Sequence, residues 1–534
     1  MATSQHSIIG PHPASRHNGV GRALATPLGR LAVPSLSDLF FIALLIWLFV
    51  AGGDGWKGLL LDGDCGWHIR TGETILNTHA VPYVDPYSFT KGGQPWFAWE
   101  WLSDVLFAVL FQWAGLKGVV LAAGVVIATF ATVLLRRIFA QGVNLFVALL
   151  VGLLAVGSAS IHYLARPHIF TLLFLSIGLW MLEEDRRRTH WRTWLLVPLM
   201  ILWTNMHGGF IAFILCVGAL AVGSAVETWL GTGPGWAATR RYAALTVACT
   251  LATVVNPYGI QLHVHIAQYL RSDWIRNVIQ EFQSPSFRSE NLMQFEALLF
   301  LGLIVAALRL RERRVTEALW IVGFAHLALG SVRHVPLFVS VTAPIIALEV
   351  SRWWSTWTSS QSRQSVLSIV EQMGRDLAPG FQRNTVLPVL VVVGFAFMGE
   401  RMNWPTDFPD INFPTKMVRK HPELLIDHRL FTNDQWGDYL IFNNPQRKVF
   451  IDGRSDFYGA DLGNEYLDVM NARWPWRKVL DKYQIDVVLS PVEWPLASVL
   501  KQDQEWHLVA DDGQSVLFTR PRPAGTEIAR VRRD

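Results

Sequence analysis

Apolar runs long enough to cross a bilayer recur along most of this chain, and they restrict its fold more than any single motif does. A helix needs about 20 apolar residues to cross the hydrocarbon layer. Such segments stand near 36–53, 118–135, 143–161, 168–182, 193–205, 209–227, 241–256, 294–309, 316–331, 335–350 and 385–400. Some fall short of a full span, but together they predict a polytopic helical membrane protein with about eleven transmembrane helices. Only 16% of residues are charged, against about 25% in soluble domains. The 24 Trp and 30 Phe suit aromatic belts at the two membrane faces. A net charge of +4 with no interleaved basic and aromatic residues argues against a nucleic-acid partner. Cys65, Cys216 and Cys249 form no metal-spaced pair and no disulfide framework.

Basic residues orient the bundle. Arg16, Arg22 and Arg30 precede the first span; Arg136–Arg137, Arg186–Arg188, Arg240–Arg241, Arg309–Arg314 and the 351–384 linker fall on the same side. By the positive-inside rule that side is cytoplasmic. Residues 1–35 are polar and too long for the charged region of a signal peptide, so they are read as a disordered cytoplasmic lead. An odd number of spans then puts residues 401–534 outside. The opposite, extracytoplasmic face collects Asp62, Asp64 and His68, then His162, Arg166 and His168, Asn205 and His207, Asn256 and His265, Glu281, and Arg333 with His334. Insertion alone explains basic loops inside. It does not explain single Asp, His, Arg and Asn residues at helix mouths outside, where burying an ionisable group is costly.

Two external loops are long, 54–117 and 257–293, and 36–400 is read as one transmembrane domain. In the first loop, Thr71 to Thr78 can form a short amphipathic helix, Val81 to Tyr87 is extended because residues before proline avoid the α region, and Trp99 to Trp113 suits a helix lying in the interface. Beyond 401 the pattern changes. Short β-branched runs (Lys448–Ile451, Ile485–Leu489, Trp506–Val509, Ser515–Phe518) alternate with helical stretches (Gly463–Met470, Pro475–Tyr483, Pro495–Lys501). That alternation predicts a small α/β domain over 401–534.

One membrane helix, a long external loop opening on an acidic motif, interfacial helices and many further spans resemble the GT-C superfamily. These are membrane glycosyltransferases that take sugars from polyprenyl-phosphate lipids. The run Asp62-Gly63-Asp64-Cys65-Gly66-Trp67-His68-Ile69-Arg70-Thr71-Gly72-Glu73 is similar to a largely uncharacterised bacterial group within it. So are Arg166-Pro167-His168, Trp203-Thr204-Asn205-Met206-His207-Gly208-Gly209, Asn256-Pro257-Tyr258-Gly259 and Asp452-Gly453-Arg454. The resemblance covers nearly all of the chain after residue 35. It implies a bacterial inner-membrane protein whose partners are a polyprenyl-phosphate-linked sugar, membrane lipids and a glycan, lipid or protein acceptor.

Within that resemblance the acidic motif matches Asp62 and Asp64 as the base that takes the acceptor's proton, and inversion at the anomeric carbon follows from direct displacement. In isolation Asp-Gly-Asp is ordinarily a turn. His68 is placed to hydrogen-bond Asp64 or the acceptor. The Asp-x-Asp spacing can also hold a divalent ion, Mg or Mn. The departing lipid phosphate needs positive partners, for which Arg166 and Arg333, each beside a histidine (His168, His334), are candidates; snorkelling to headgroups is the plain alternative for Arg166. Asn205, His207 and Glu281 are candidate substrate contacts, as are Asp452 and Arg454 at the end of a short predicted strand. Two other readings use the same residues: a transporter or flippase of a lipid-linked glycan, and a non-catalytic component of surface-polysaccharide assembly. The absence of an internal repeat and the gathering of polar residues at one face disfavour transport.

Overall fold

The computed structural model describes residues 33–51, 55–378, 383, 385–398, 402–426 and 428–521, so the lead expected over 1–35 lies almost wholly outside the described residues. The first helix, α1 (Leu36–Ile46), starts at a reciprocal cap. Ser35 Oγ accepts the Asp38 N–H at 3.1 Å, and Asp38 accepts the Ser35 N–H at 2.7 Å. A π turn over Trp47–Ala51 carries it on. There follow α2 (Asp64–Thr78), α3 (Trp101–Ala140), α4 (Leu145–Ala159), α5 (His168–Arg187), α6 (Leu196–Met206), α7 (Phe210–Trp229) and α8 (Trp236–Ala252). Beyond them come α9 (Ile260–Arg271), α10 (Asp273–Val278), α11 (Glu290–Arg311), α12 (Val315–Gly330), α13 (Val335–Ser359), α14 (Val366–Leu377) and α15 (Leu387–Phe397).

Among the described residues, five helices are long and apolar enough to cross a membrane: Trp101–Ala140, Leu145–His162, Phe210–Trp229, Asn291–Arg311 and Val332–Ser359. Leu36–Ala51, Val315–Gly330 and Leu387–Phe397 are apolar but shorter. The chain is a multi-pass helical membrane protein.

The first loop is more helical than its sequence pattern suggests. α2 begins at Asp64 rather than Thr71, so the acidic motif forms its N-terminus, where a carboxylate complements the helix dipole. It ends at His79, in the left-handed region at φ 55°, whose N–H bonds the Ile75 carbonyl. The stretch expected to lie in the interface, Trp99–Trp113, opens α3. That helix resumes as a span beyond Gly115, whose φ of 64° and ψ of −159° break the helical course. α2 rests on α3 backbone to backbone: a Cβ at Gly72 would stand 1.9 Å from the Asp104 carbonyl oxygen.

Buried ion pairs hold together the end of the bundle away from the acidic motif. Arg137, fully buried, pairs with Glu183 at 2.6 Å and donates to the Ser340 carbonyl at 2.7 Å. Arg309 reaches Glu317 at 3.0 Å and Glu349 at 2.8 Å, and Arg241 meets Asp185 at 2.8 Å. Each buried charge has its counter-charge, without which it would be strongly destabilising.

After α16 (Thr415–Lys420) and α17 (Pro422–Ile426) a four-stranded sheet forms from β1 (Leu430–Thr432), β2 (Val487–Pro491), β3 (His507–Asp511) and β4 (Ser515–Thr519), in the order β1-β2-β4-β3. β1 and β2 are parallel; β4 is antiparallel to both of its neighbours. Helices α18 (Asp434–Asn443), α19 (Ser455–Met470), α20 (Trp476–Lys482) and α21 (Pro495–Leu500) complete this α/β unit. Lys448–Ile451, expected as a strand, is not one of the sheet. Its backbone is committed elsewhere: Val449 N–H donates to the Tyr87 carbonyl at 2.9 Å, and Phe89 N–H donates to the Val449 carbonyl at 3.0 Å. That run therefore ties the α/β unit to the first loop. β1 follows no long alternating pattern and went unread.

Candidate active site

The loop before α5 sets one guanidinium at the centre of a group of carboxylates. Ala165 N–H bonds the Leu59 carbonyl at 2.8 Å, which pins this loop beside the acidic motif. Arg166 then meets Asp62 Oδ2 at 2.7 Å, Asp64 Oδ2 at 2.6 Å and Glu281 Oε1 at 2.9 Å. Within the motif, Asp62 Oδ1 accepts the Asp64 N–H at 2.9 Å and Asp64 Oδ1 accepts the Trp67 indole N–H at 3.2 Å. Burial pushes Asp64 up to about 7, although Arg166 opposes the rise. Burial acts upward on Glu281 too, but there Arg166 and Arg333 prevail and hold it well below the usual carboxylate range.

Asp64, Arg166 and Glu281 edge a cavity of about 410 Å³, whose polar wall also carries Glu100, His207 and Arg333. Its other side is apolar, with Leu172, Ile211, Leu215 and Leu337 drawn from the membrane helices α5, α7 and α13. Arg333 has no carboxylate within ion-pair distance among the described residues. It receives Tyr269 at 3.3 Å as a hydrogen-bond partner and lies 4.4 Å from the Phe282 ring centroid. His168 and His334 line the same cavity, each with one ring nitrogen donating to a backbone carbonyl, His162 at 2.6 Å and Leu327 at 3.1 Å.

His68 does not approach Asp64. It is buried behind the cavity, with Nδ1 2.5 Å from Asp104 and Nε2 3.5 Å from Glu100. Glu100 is the residue that sequence reasoning passed over. It precedes α3 in a wall of the cavity, its carboxyl between His68 and His207 Nε2 at 3.4 Å. Burial pushes Glu100 up to about 8. His207 accepts the Gly209 N–H on Nδ1 at 2.9 Å, and burial, reinforced by Arg333, brings it down to about 3, so its ring is neutral. In the sequence Glu100 lies in Glu100-Trp101-Leu102, one of the runs that carry the resemblance, and on the polar side of the 99–113 stretch.

Two further residues sit apart from the cavity wall. Asn205 is engaged structurally, accepting from Trp101 Nε1 at 2.8 Å and donating to the carbonyls of Ile201 and Val255 at 2.7 and 2.9 Å. Asp452 is buried against Arg454 at 2.6 Å and the Tyr458 hydroxyl at 2.6 Å. Arg454 also reaches Asp85 of the first loop at 2.8 Å, and its guanidinium lies 4.6 Å from the Trp96 ring centroid.

The α/β unit reaches into the acidic motif itself. Gln435 Oε1 accepts the Gly63 N–H at 2.7 Å. Asp438 Oδ1 accepts the Gly453 N–H at 2.9 Å, while its Oδ2 is buried without a hydrogen-bond partner among the described residues. Burial, then the charge of Asp64, drives Asp438 well above the usual carboxylate range. The motif glycines leave room for this approach: a Cβ at Gly63 would lie 2.8 Å from Asp438 Cβ, and one at Gly66 would lie 2.9 Å from its carbonyl oxygen.

A divalent ion does not fit the Asp62–Asp64 pair as the side chains stand. The Arg166 guanidinium already bridges the two Oδ2 atoms, supplying the positive charge a cation would bring. Among the described residues, no group of three or more His, Cys, Asp or Glu side chains is arranged to hold a metal.

Solved structures share this architecture. The Archaeoglobus fulgidus oligosaccharyltransferase tethered to an acceptor peptide superposes with a TM-score of 0.51 at 14% identity, over 88% of this chain and 70% of the other. The same archaeal enzyme, AglB, in complex with an inhibitory peptide and a dolichol-phosphate, gives 0.50 at 13% identity over 92% and 74%. The fold is GT-C. ArnT from Cupriavidus metallidurans, bound to undecaprenyl phosphate, gives 0.49 at 15% identity over 90% and 97%. No family model and no curated protein sequence matches the chain. In this chain the acidic motif, the Arg166 loop and the mouths of α6, α12 and α13 meet at one end of the bundle.

Proposed function

We propose that this protein is a glycosyltransferase that moves a sugar from a polyprenyl-phosphate lipid to an acceptor hydroxyl outside the cell. The reading rests chiefly on one observation: a cavity with an apolar membrane-side wall holds a buried, upward-shifted Asp64 and an Arg333 with no carboxylate in ion-pair distance among the described residues. AglB, whose fold the chain shares, has been seen with a dolichol-phosphate. The polyprenyl chain lies along Leu172, Leu215 and Leu337, and its phosphate meets Arg333, with His168 and His334 beside it. The acceptor oxygen attacks the anomeric carbon as the bond from that carbon to the phosphate oxygen breaks. Its proton passes to Asp64, and the electron pair leaves with the lipid phosphate. Direct displacement inverts the anomeric centre. Asp62 and Arg166 hold Asp64 in place, and Arg454 and Asp452 fix the α/β unit over the site, with Glu281 and His207 shaping its substrate side.

The topology belongs to the same proposal. Eleven crossings, a cytoplasmic N-terminus and an extracytoplasmic unit over 401–534 put the cavity on the outer side of a bacterial inner membrane. Replacing Asp62 and Asp64 together by Asn and assaying transfer from lipid-linked sugars tests it. Retained transfer by a correctly inserted variant sinks the assignment.

A further inference from the structure

α14 lies within the 351–384 stretch, at the end of the bundle opposite the cavity, and its surface has three distinct sectors. One faces the protein. Glu371 Oε2 accepts from Asn144 Nδ2 at 2.6 Å and from Trp354 Nε1 at 2.7 Å, and a Cβ at Gly374 would stand 2.5 Å from Asn144 Nδ2. The second is polar and exposed, formed by Gln372, Arg375 and Asp376. The third consists of Val366, Ile369, Met373 and Leu377, spaced to form one stripe along the helix. These four are 74%, 49%, 49% and 46% exposed, and the described residues leave the stripe uncovered.

What covers the stripe follows from where the helix is tied. Asn144 caps the start of α4 and Trp354 stands near the end of α13, and both helices are long and apolar enough to cross the membrane. The anchors therefore hold α14 at the level where these two helices leave the apolar layer. Trp353 and Trp357, also exposed on α13, mark the same level, as aromatic residues do at membrane interfaces. A second copy is a poor occupant, because a stable interface needs on the order of 1,000 Å² and one stripe of a 12-residue helix offers far less.

We propose that the bilayer itself covers this face: α14 lies in the boundary between headgroups and acyl chains, its stripe turned toward the chains and Gln372, Arg375 and Asp376 toward water. The helix then anchors the connection from α13 to α15 at the membrane surface.

Single cysteines test this in the full-length chain, since Cys65, Cys216 and Cys249 are all buried. Ile369→Cys, Met373→Cys and Gln372→Cys would each carry a small fluorophore in phosphatidylcholine vesicles whose acyl chains are brominated. Quenching several-fold stronger at 369 and 373 than at 372 is expected. Equal quenching at all three positions overturns the proposal. So does disulfide cross-linking between copies through position 369, which assigns the stripe to a second copy. Quenching at 369 and 373 that arises only after residues 1–32 are deleted also overturns it, by assigning the stripe to the N-terminal segment. Unaltered sugar transfer by the labelled variants shows that the fold is intact.

Discussion

Gly453 stands where any side chain would collide with Asp64: a Cβ built on it falls 2.1 Å from Asp64 Oδ1 and 2.8 Å from Asp438 Oδ2. The glycine of the Asp-Gly-Arg motif is thus explained by a carboxylate some four hundred residues earlier in the chain. Gly453→Ala is expected to cost about 1–3 kcal/mol of overpacking and to displace Asp64. A lowered melting temperature together with loss of transfer is the expected result; an unchanged melting temperature with full activity contradicts this packing.

Asp62 and Asp64 share one guanidinium but not one role. Asp64→Asn is expected to lower kcat by about a hundredfold or more, the order of a lost general base. Asp62→Asn leaves the base in place and loosens its alignment, so its effect is expected to be smaller. Equal kcat losses in the two single variants would contradict this division of labour.

Transfer should depend on pH through Asp64. A base must be ionised to accept a proton, so with its pKa raised to about 7 the rate rises as pH increases through neutrality and falls away in acid. Arg166 favours the ionised form and Glu281 disfavours it. Arg166→Gln is therefore expected to move the acidic limb to higher pH, and Glu281→Gln to move it to lower pH. Rate profiles of the two variants check both signs.

Arg333 is assigned the lipid phosphate because no carboxylate among the described residues stands within ion-pair distance of it. Losing a charge-assisted bond of about 1.5–3 kcal/mol in Arg333→Ala should raise the KM for the lipid donor by roughly 10- to 100-fold, and Lys should restore it only in part. Titration with polyprenyl phosphate, read as inhibition, separates a binding defect from a folding one.

Arg454 locks the α/β unit to the first loop through Asp85, with Asp452 on its other side. Arg454→Met leaves two buried carboxylates without their cation, at a cost of about 3–5 kcal/mol. Faster proteolysis between the two parts is the expected sign.

The multi-pass helical character was legible because hydropathy is a local signal: a span can be read from some twenty neighbouring residues. Asp64, Arg166 and Arg333 were legible for a related reason, since charge at a helix mouth stands out against an apolar background. Glu100 did not stand out, because its importance comes from His68 and His207, brought to it from two other helices. Asp438 stands out in the sequence within Asp434–Tyr439, which reads as an acceptor or glycan contact, but only the tertiary fold sets its carboxyl beside Asp64. The Lys448–Ile451 run failed as a strand of the sheet because periodicity shows that a segment will pair, not with which partner.

The contact of Gln435 and Asp438 with Gly63 also bears on the order of events during synthesis. Residues 62–73 are synthesised early, while Gln435, Asp438 and Gly453, which close around them, come several hundred residues later. A ribosome-bound chain therefore carries its acidic motif through the synthesis of the helical bundle without these groups. The surroundings of Asp64 are complete only once the α/β unit has been made.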